Sequence, residues 1–404
     1  MPAQSRRHKC PGRRLSDRVA SSLGDYSSIG RDQATSDFVK AAIYRLEPDG
    51  ELLEARVRAD PARDANRCSS LVHDGRMPAD IRKSTHLAAN LRRELKAYAL
   101  ERMPRAARVV VRDMRRRGKV RRIRDLAALD VALREAFEAF QVSEDDGRHV
   151  LDGIEFVVDE PRPRDPASAA YRDHELALYA RLTGKPYTTA SERSIFDLAE
   201  GVRSPFPYRT RTPEVVGDQL ILLGFLLKAI PMPPPARILE FGPGWGNTTQ
   251  ALLQTGYEVT AVEIDPTFID LIAQRCALNA DRLTLETVDM LEFTSTQRFD
   301  VILFFESFHH CQDHRRLLRQ LHDLLAECGV ILFVAEPIVD LPYPWGLRLD
   351  GQSLWAMRQL GWLELGFDRS YFMQALRDTG WVGERLHSRA ISSLTDMVVA
   401  RAAP

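Results

Sequence analysis

The stretch Glu240-Phe-Gly-Pro-Gly-Trp-Gly246 decides the fold of this chain. It follows directly on an apolar segment that suits a strand, Arg237–Phe241, and precedes a segment that suits a helix, Asn247–Gln254. Glycine at the first strand-to-helix turn of a parallel sheet lets a ligand approach the backbone closely, since a side chain would fill that space. We therefore predict a cofactor site at this turn.

The residues downstream of the turn favour a nucleotide-type cofactor. From Ala236 onward strand-like and helix-like segments alternate, which predicts an α/β fold with a doubly wound, mostly parallel sheet. The second strand, Tyr257–Glu263, ends on an acid about twenty residues after the turn, where a carboxylate can accept hydrogen bonds from a ribose diol. A dinucleotide fingerprint, GxGxxG, would require glycine in place of Asn247, so an NAD-dependent dehydrogenase is disfavoured.

Five segments in order resemble the motifs of class I S-adenosylmethionine (SAM)-dependent methyltransferases. They are Glu240–Gly246, Ala261–Asp265, Thr287–Met290, Phe299–Glu306 and Leu324–Glu336. The resemblance covers roughly residues 236 to 400 and implies a seven-stranded sheet whose final, antiparallel strand would be Thr395–Arg401. It also implies SAM as the cofactor.

The same resemblance assigns the cofactor residues. Glu263 would hold the ribose hydroxyls, Asp289 the adenine, and the turn Gly242–Gly246 the methionine end. Ordering the turn is an alternative role for Glu240. The predicted set is Glu240, Phe241, Gly242, Pro243, Gly244, Gly246, Glu263, Ile264, Asp289, Met290 and Glu306.

Candidate catalytic residues follow the fourth strand of the predicted domain. Transfer to oxygen or nitrogen needs a base, and His309 and His310 lie in the segment Glu306–His314. A packing role at a helix start is the alternative. The density of His, Cys and Asp in this segment could also suggest a metal site. We predict none, because adjacent histidines would point in different directions.

A connection of about thirty residues follows the fifth strand, and connections of that length are usually functional. Its aromatic residues beside charged ones fit stacking on a sugar or aromatic ring. A lid that packs those aromatics into a core of its own is the alternative. The loop before the domain can close the pocket from the other side, so the predicted substrate residues are Tyr208, Arg211, Trp345 and Arg348.

Four regions are predicted along the chain. They are a disordered basic tail (1–37), an accessory α+β region (38–165), a helical lead-in and lid segment (166–235) and the methyltransferase domain (236–404). The accessory region and lead-in form an α-rich N-terminal extension, with helices expected over Asp125–Phe140, Ala169–Leu182 and Val215–Ile230.

The N-terminal part is basic although the whole chain has no net charge. Residues 1–150 carry about ten more basic than acidic groups. The segment 102–124 holds ten Arg and one Lys against one acid, Asp113. It could bind phosphates of nucleic acid, but no aromatic residues interleave to stack bases, so a solvated or docking face is favoured.

The predicted function is methyl transfer from SAM to a small-molecule or saccharide-type acceptor. RNA methylation and a non-catalytic SAM-binding protein are the alternatives, and the resemblance points loosely to bacterial methyltransferases of polysaccharide or envelope glycans. No stretch reaches the roughly 18–20 apolar residues of a membrane span. Five scattered cysteines without a CxxC pair predict neither a disulfide framework nor a zinc ribbon, and favour the cytoplasm. The oligomeric state stays open.

Overall fold

A computed structural model of the protein describes residues 120–210, 212–387 and 396–403. These residues belong to one compact unit. The predicted basic tail, most of the accessory region including Arg-rich residues 102–119, and Arg211 lie outside the described residues.

The described residues form twelve strands and ten α-helices. The strands are β1 Arg121–Ile123, β2 Ile154–Phe156, β3 Arg237–Phe241, β4 Glu258–Glu263, β5 Leu283–Thr287, β6 Phe299–Phe305, β7 Leu325–Val334, β8 Ile338–Val339, β9 Trp345–Leu347, β10 Leu365–Asp368, β11 Trp381–His387 and β12 Asp396–Ala402. The α-helices are α1 Leu126–Val142, α2 Glu144–Asp152, α3 Ala169–Thr183, α4 Leu198–Arg203, α5 Pro213–Ala229, α6 Asn247–Thr255, α7 Pro266–Arg275, α8 His314–Leu324, α9 Gly351–Trp355 and α10 Arg369–Asp378. The three predicted N-terminal helices correspond to α1, α3 and α5 and are confirmed.

The main sheet has seven strands in the order β11-β12-β7-β6-β3-β4-β5. Strands β7, β6, β3, β4 and β5 are parallel to one another, whereas β12 runs antiparallel to both β7 and β11. The predicted doubly wound, mostly parallel sheet is therefore confirmed, and so is the final antiparallel strand. Apolar runs such as Phe299–Phe305 form the central strands because helices cover both faces of such a sheet.

Strand β3 lies at the point where the sheet order reverses. Its neighbours are β4, the next strand along the chain, and β6, which the chain reaches only after β5. The helices that follow β3 and β6 leave in opposite directions from such a point, so a crevice opens at the carboxyl ends of these strands. The glycine-rich turn begins at this edge.

The connection after β7 forms a small sheet of its own. Strands β8, β10 and β9 pair in that order, and Leu347, Leu365 and Phe367 are almost fully buried. Trp345 is also buried, and its indole N–H donates to the carbonyl of Pro166 at 2.8 Å. The connection therefore carries a small core.

The helix α3 fastens this small sheet to the N-terminal part of the described chain. The hydroxyl of Tyr171 donates to the carbonyl of Trp345 at 2.8 Å, and that of Tyr179 donates to the carbonyl of Gly361 at 2.5 Å. Glu175, which is 1% exposed, accepts from Arg162 at 2.7 Å and from the backbone N–H of Leu347 at 2.8 Å. Glu175 thus connects α3 both to the Pro-rich segment before it and to β9.

No helix among the described residues is long and apolar enough to cross a membrane.

Replacing Glu175 by alanine is expected to destabilise the fold by about 3–5 kcal/mol, because it leaves the Arg162 guanidinium and a buried backbone N–H unpaired. Chemical denaturation monitored by circular dichroism measures this loss. The control is Asp173→Ala on the same helix, whose side chain is 68% exposed and which should change stability by less than about 0.5 kcal/mol. Equal effects of the two substitutions would refute a central role for Glu175.

Candidate functional site

The glycine-rich turn adopts backbone conformations that favour glycine. Gly242, Gly244 and Gly246 have φ angles of 61°, 49° and 70°. A Cβ at Gly242 would lie 2.7 Å from the Cβ of Ser307, and one at Gly246 would lie 2.7 Å from Ile272. A Cβ at Gly244 would meet no heavy atom of the described residues within 4 Å. Two glycines therefore permit close packing of the turn, and the third faces open space.

Glu263 ends β4 beside this turn. Its carboxylate accepts from the backbone N–H of Gly244 at 3.1 Å, of Ile264 at 2.8 Å and of Asp265 at 3.1 Å. Burial nevertheless raises the pKa of Glu263 to about 6, because it outweighs these donors. The carboxylate is thus fixed against the turn and is mostly ionised at neutral pH.

Glu240 lies inside β3 and is 1% exposed. Its Oε2 accepts from the hydroxyl of Thr249 at 2.6 Å, whereas its Oε1 is buried without a hydrogen-bond partner among the described residues. Burial raises the pKa of Glu240 to about 7. The contact with Thr249 ties the strand to α6 across the turn, which agrees with an ordering role, and leaves Oε1 able to accept from a donor.

The predicted cofactor and acceptor residues meet around one cavity of about 930 Å³. It lies at the carboxyl ends of β3, β4 and β6. The predicted residues that line it are Glu240, Gly242, Pro243, Gly244, Glu263, Ile264, Asp289, Met290, Glu306, His309, His310 and Arg348. The fold therefore brings residues at the ends of five different strands to one cavity.

Four predicted residues lie elsewhere. Phe241 is fully buried and stacks on Phe304 with ring centroids 5.1 Å apart, so it belongs to the core, and Gly246 packs against α7. Trp345 is buried and packs on Tyr171 with ring centroids 5.0 Å apart, so it belongs to the small core and does not line the cavity. Tyr208 does not line the cavity.

The predicted substrate contact of Trp345 is therefore wrong. In the loop before the domain the cavity is lined by Phe206, Pro207 and Arg209 rather than by Tyr208. Arg211 lies outside the described residues. The loop therefore reaches the cavity through residues other than Tyr208.

The chain leaves both β6 and β7 through a non-glycine residue with positive φ. The angles are 53° at Glu306 and 56° at Ala335, and the N–H of Glu306 donates to the carbonyl of Val334 at 3.0 Å. Such conformations are rare outside glycine and concentrate at functional sites. Glu306 is held at the cavity, where burial and the nearby carboxylate of Glu336 raise its pKa to about 7.

Glu336 holds the loop after β6. Its Oε1 accepts from the backbone N–H groups of Ser307 and Phe308, both at 2.8 Å, and its Oε2 accepts from that of His309 at 3.2 Å. The same Oε2 lies 2.8 Å from Nδ1 of His309. One carboxylate therefore fixes both the backbone and the imidazole.

The two histidines lie in a single turn of 3₁₀ helix, Phe308–His310, with ring centroids 4.2 Å apart and planes inclined by 36°. The expectation that adjacent histidines would point in different directions is therefore wrong. The reason is that Glu336 holds His309, while Nδ1 of His310 lies 3.4 Å from Glu192 on the same side. Burial lowers the pKa of both histidines to about 3, so both are neutral at physiological pH.

Three acids beside the histidines were not among the predicted site residues: Glu192, Glu336 and Glu364. Burial raises the pKa of Glu192 to about 8 and that of Glu364 to about 7. Glu336 directly follows a strand, which is a usable signal in the sequence. Glu192 lies in a polar stretch before α4 and carries none.

The chain's own groups fit SAM at this turn. The open space at Gly244 leaves room for a ligand against the backbone, and the Glu263 carboxylate beside it can accept from ribose hydroxyls. The unpartnered Oε1 of Glu240 can accept from the amino group of the methionine end. These residues would hold the cofactor, which supplies an electrophilic methyl group when bound.

Residues 239–331 match a family model described as a methyltransferase domain. Together with the sheet order and the glycine turn, this identifies the domain as a class I SAM-dependent methyltransferase domain, whose cofactor is SAM.

Curated relatives align with short parts of the chain. The mitochondrial ribosomal RNA small subunit methyltransferase of Arabidopsis thaliana is 32% identical over 84 residues, which are 20% of this chain and 22% of that protein. Ribosomal RNA small subunit methyltransferase A of Corynebacterium diphtheriae is 47% identical over 58 residues, or 13% and 20% of the two chains. The chain spans less than half the length of the curated relatives it matches.

Among solved structures, the 1,6-didemethyltoxoflavin-N1-methyltransferase of Burkholderia thailandensis is 22% identical. The similarity covers 52% of this chain and 92% of that one, with a TM-score of 0.36.

Gly244→Ala is expected to weaken SAM binding at least about tenfold, because the new methyl group fills space against the turn. Isothermal titration calorimetry measures the affinity. The matched control is Gly184→Ala at the end of α3, where φ is 76° and a Cβ also meets nothing within 4 Å among the described residues. Both variants carry similar backbone strain, so equal SAM affinity in the two would contradict the assignment of the turn.

Proposed function

We propose that the protein transfers a methyl group from SAM to a small-molecule or saccharide-type acceptor. The observation that carries this proposal is that the glycine turn and the residues after β6 line one and the same cavity. Its volume of about 930 Å³ is near the upper end of the range of about 300–1,000 Å³ for small-molecule sites. There is room for the cofactor together with a compact acceptor.

The residues that line the cavity favour an acceptor that has both a flat face and polar groups. Trp355 and Trp362 line it together with Arg348 and Glu364. Aromatic rings offer stacking surfaces to a sugar or another ring, and the charged groups can orient its hydroxyls. Charged and aromatic side chains of the connection after β7 thus reach the cavity although Trp345 does not.

Glu306 is the residue best placed to take a proton from the acceptor. Its side chain is exposed to the cavity, and desolvation inside the cavity together with the nearby Glu336 raises its pKa toward neutrality, which suits a general base. His309 is less suited, because burial lowers its pKa to about 3 and because its Nδ1 is engaged by Glu336 at 2.8 Å. The earlier assignment of the base to His309 or His310 thus shifts to the carboxylate that precedes them.

RNA methylation is the second candidate, since two relatives with short aligned segments are named as ribosomal RNA methyltransferases. The described cavity speaks against it. Acidic side chains, among them Glu263 and Asp289, line the cavity, and ionised carboxylates repel a phosphate backbone.

Incubation of bacterial extract with methyl-labelled SAM and the protein tests both candidates. Label is expected in the small-molecule or saccharide fraction, and label in RNA alone would replace the proposal with the second candidate. Glu263→Ala should abolish transfer because the ribose loses its acceptor. Glu258→Ala, at the exposed opposite end of the same strand, should leave it unchanged. No label in any fraction despite SAM binding would contradict an enzymatic function.

Glu306→Gln separates a base from a cofactor ligand. We expect methyl transfer at saturating SAM to slow by about 100-fold or more, while SAM affinity stays within about twofold. Single-turnover kinetics and calorimetry measure the two quantities. Glu286→Gln, on the exposed face of β5, serves as the control and should change neither. A loss of SAM affinity without loss of rate at saturation would return Glu306 to the cofactor residues.

A further inference from the structure

Two imidazoles and a carboxylate converge at the cavity. One ring nitrogen of His309, one of His310 and one carboxylate oxygen of Glu364 all lie within 4.8 Å of one another. His309 and Glu364 are both nine-tenths buried or more. Within the part of the chain that the structure describes, this is the group of histidines, cysteines and acids that could share a cation.

The surroundings of His309 favour one tautomer. Glu336 accepts from three backbone N–H groups and acts as an acceptor here, which favours the hydrogen of His309 on Nδ1, 2.8 Å away. Nε2 then carries a lone pair and lies 3.8 Å from Oε2 of Glu364. A metal-bound histidine that donates its other N–H to a carboxylate is the usual arrangement in metal sites.

The distances favour a metal ion over a shared proton. A hydrogen bond requires heavy atoms about 2.7–3.2 Å apart and joins two of them. Ligands at about 2.1 Å from a tetrahedral metal lie about 3.4 Å apart, and three ligands fit around one ion. The atoms of His309, His310 and Glu364 would each need to move by at most about 0.8 Å to reach that separation.

Further carboxyl groups that can offset the charge of a bound cation surround the site. Glu192 and Glu336 approach the two imidazoles at 3.4 Å and 2.8 Å and lie beside Glu364. Arg348 contacts Glu364 at 3.5 Å, but its Nε is bound to Asp350 at 3.2 Å. Carboxyl groups therefore outnumber the guanidinium around the three converging atoms.

We propose that His309, His310 and Glu364 bind one divalent transition-metal ion, and that Zn²⁺ fits these nitrogen and oxygen ligands. Three protein ligands leave a coordination position open toward the cavity. An acceptor oxygen could bind there and lose its proton more easily, a role that rests on the proposed function. The metal site itself does not depend on it.

The test uses the full chain, stripped of metal with a chelator and titrated with Zn²⁺ alone by calorimetry. His310→Ala and Glu364→Gln should each weaken one equivalent of bound Zn²⁺ by at least about tenfold. His149→Ala, an exposed histidine on α2, should bind like the parent. Absence of Zn²⁺ binding by the parent, or equal binding by all four proteins, would overturn the site.

Two further measurements keep the result interpretable. Co²⁺ in place of Zn²⁺ should give a visible absorption band that His310→Ala alters, and an unchanged band would overturn the ligand assignment even if affinity fell through misfolding. SAM affinity is measured on the same samples. SAM binding without Zn²⁺ binding removes only the metal site, whereas Zn²⁺ binding without SAM binding removes only the proposed function.

Discussion

The carboxylate of Glu336 connects the ends of β6 and β7. It accepts three consecutive backbone N–H groups from Ser307, Phe308 and His309 and so closes the first turn after β6. Charge-assisted bonds of this kind are stronger than neutral ones, and here they are buried. The contact holds Ser307, which packs under Gly242, directly after the positive φ of Glu306, and it orients the ring of His309.

The cavity is built from three parts of the chain that meet only in the folded protein. The parallel sheet supplies the glycine turn and the acids at its strand ends. The small sheet after β7 supplies Arg348 and Glu364, and the described N-terminal part supplies Glu192. The N–H of Leu363 donates to Glu192 at 2.9 Å, which joins the last two parts at the cavity itself.

The sequence predicted the parts of the site that local chemistry determines. Gly242, Gly244 and Glu263 were found because a turn and a strand end leave recognisable residues within about twenty positions. The position of Trp345 and the presence of Glu192 were not found, because they depend on contacts such as that between Tyr171 and Trp345, 174 residues apart. The direction of His309 was missed because Glu336, 27 residues away, holds its ring, and that of His310 because its neighbour Glu192 lies in a distant part of the chain.

The bonds between α3 and the segment Trp345–Gly361 span 172 to 182 residues of chain. During synthesis at about 5–20 residues per second, α3 leaves the ribosome many seconds before its partners exist. Until then, Glu175 and the tyrosines of α3, which are buried in the finished fold, are exposed to water or held in transient contacts. The last wall of the cavity therefore closes late, and an unfinished chain holds the elements of a cofactor site without the small sheet that completes it.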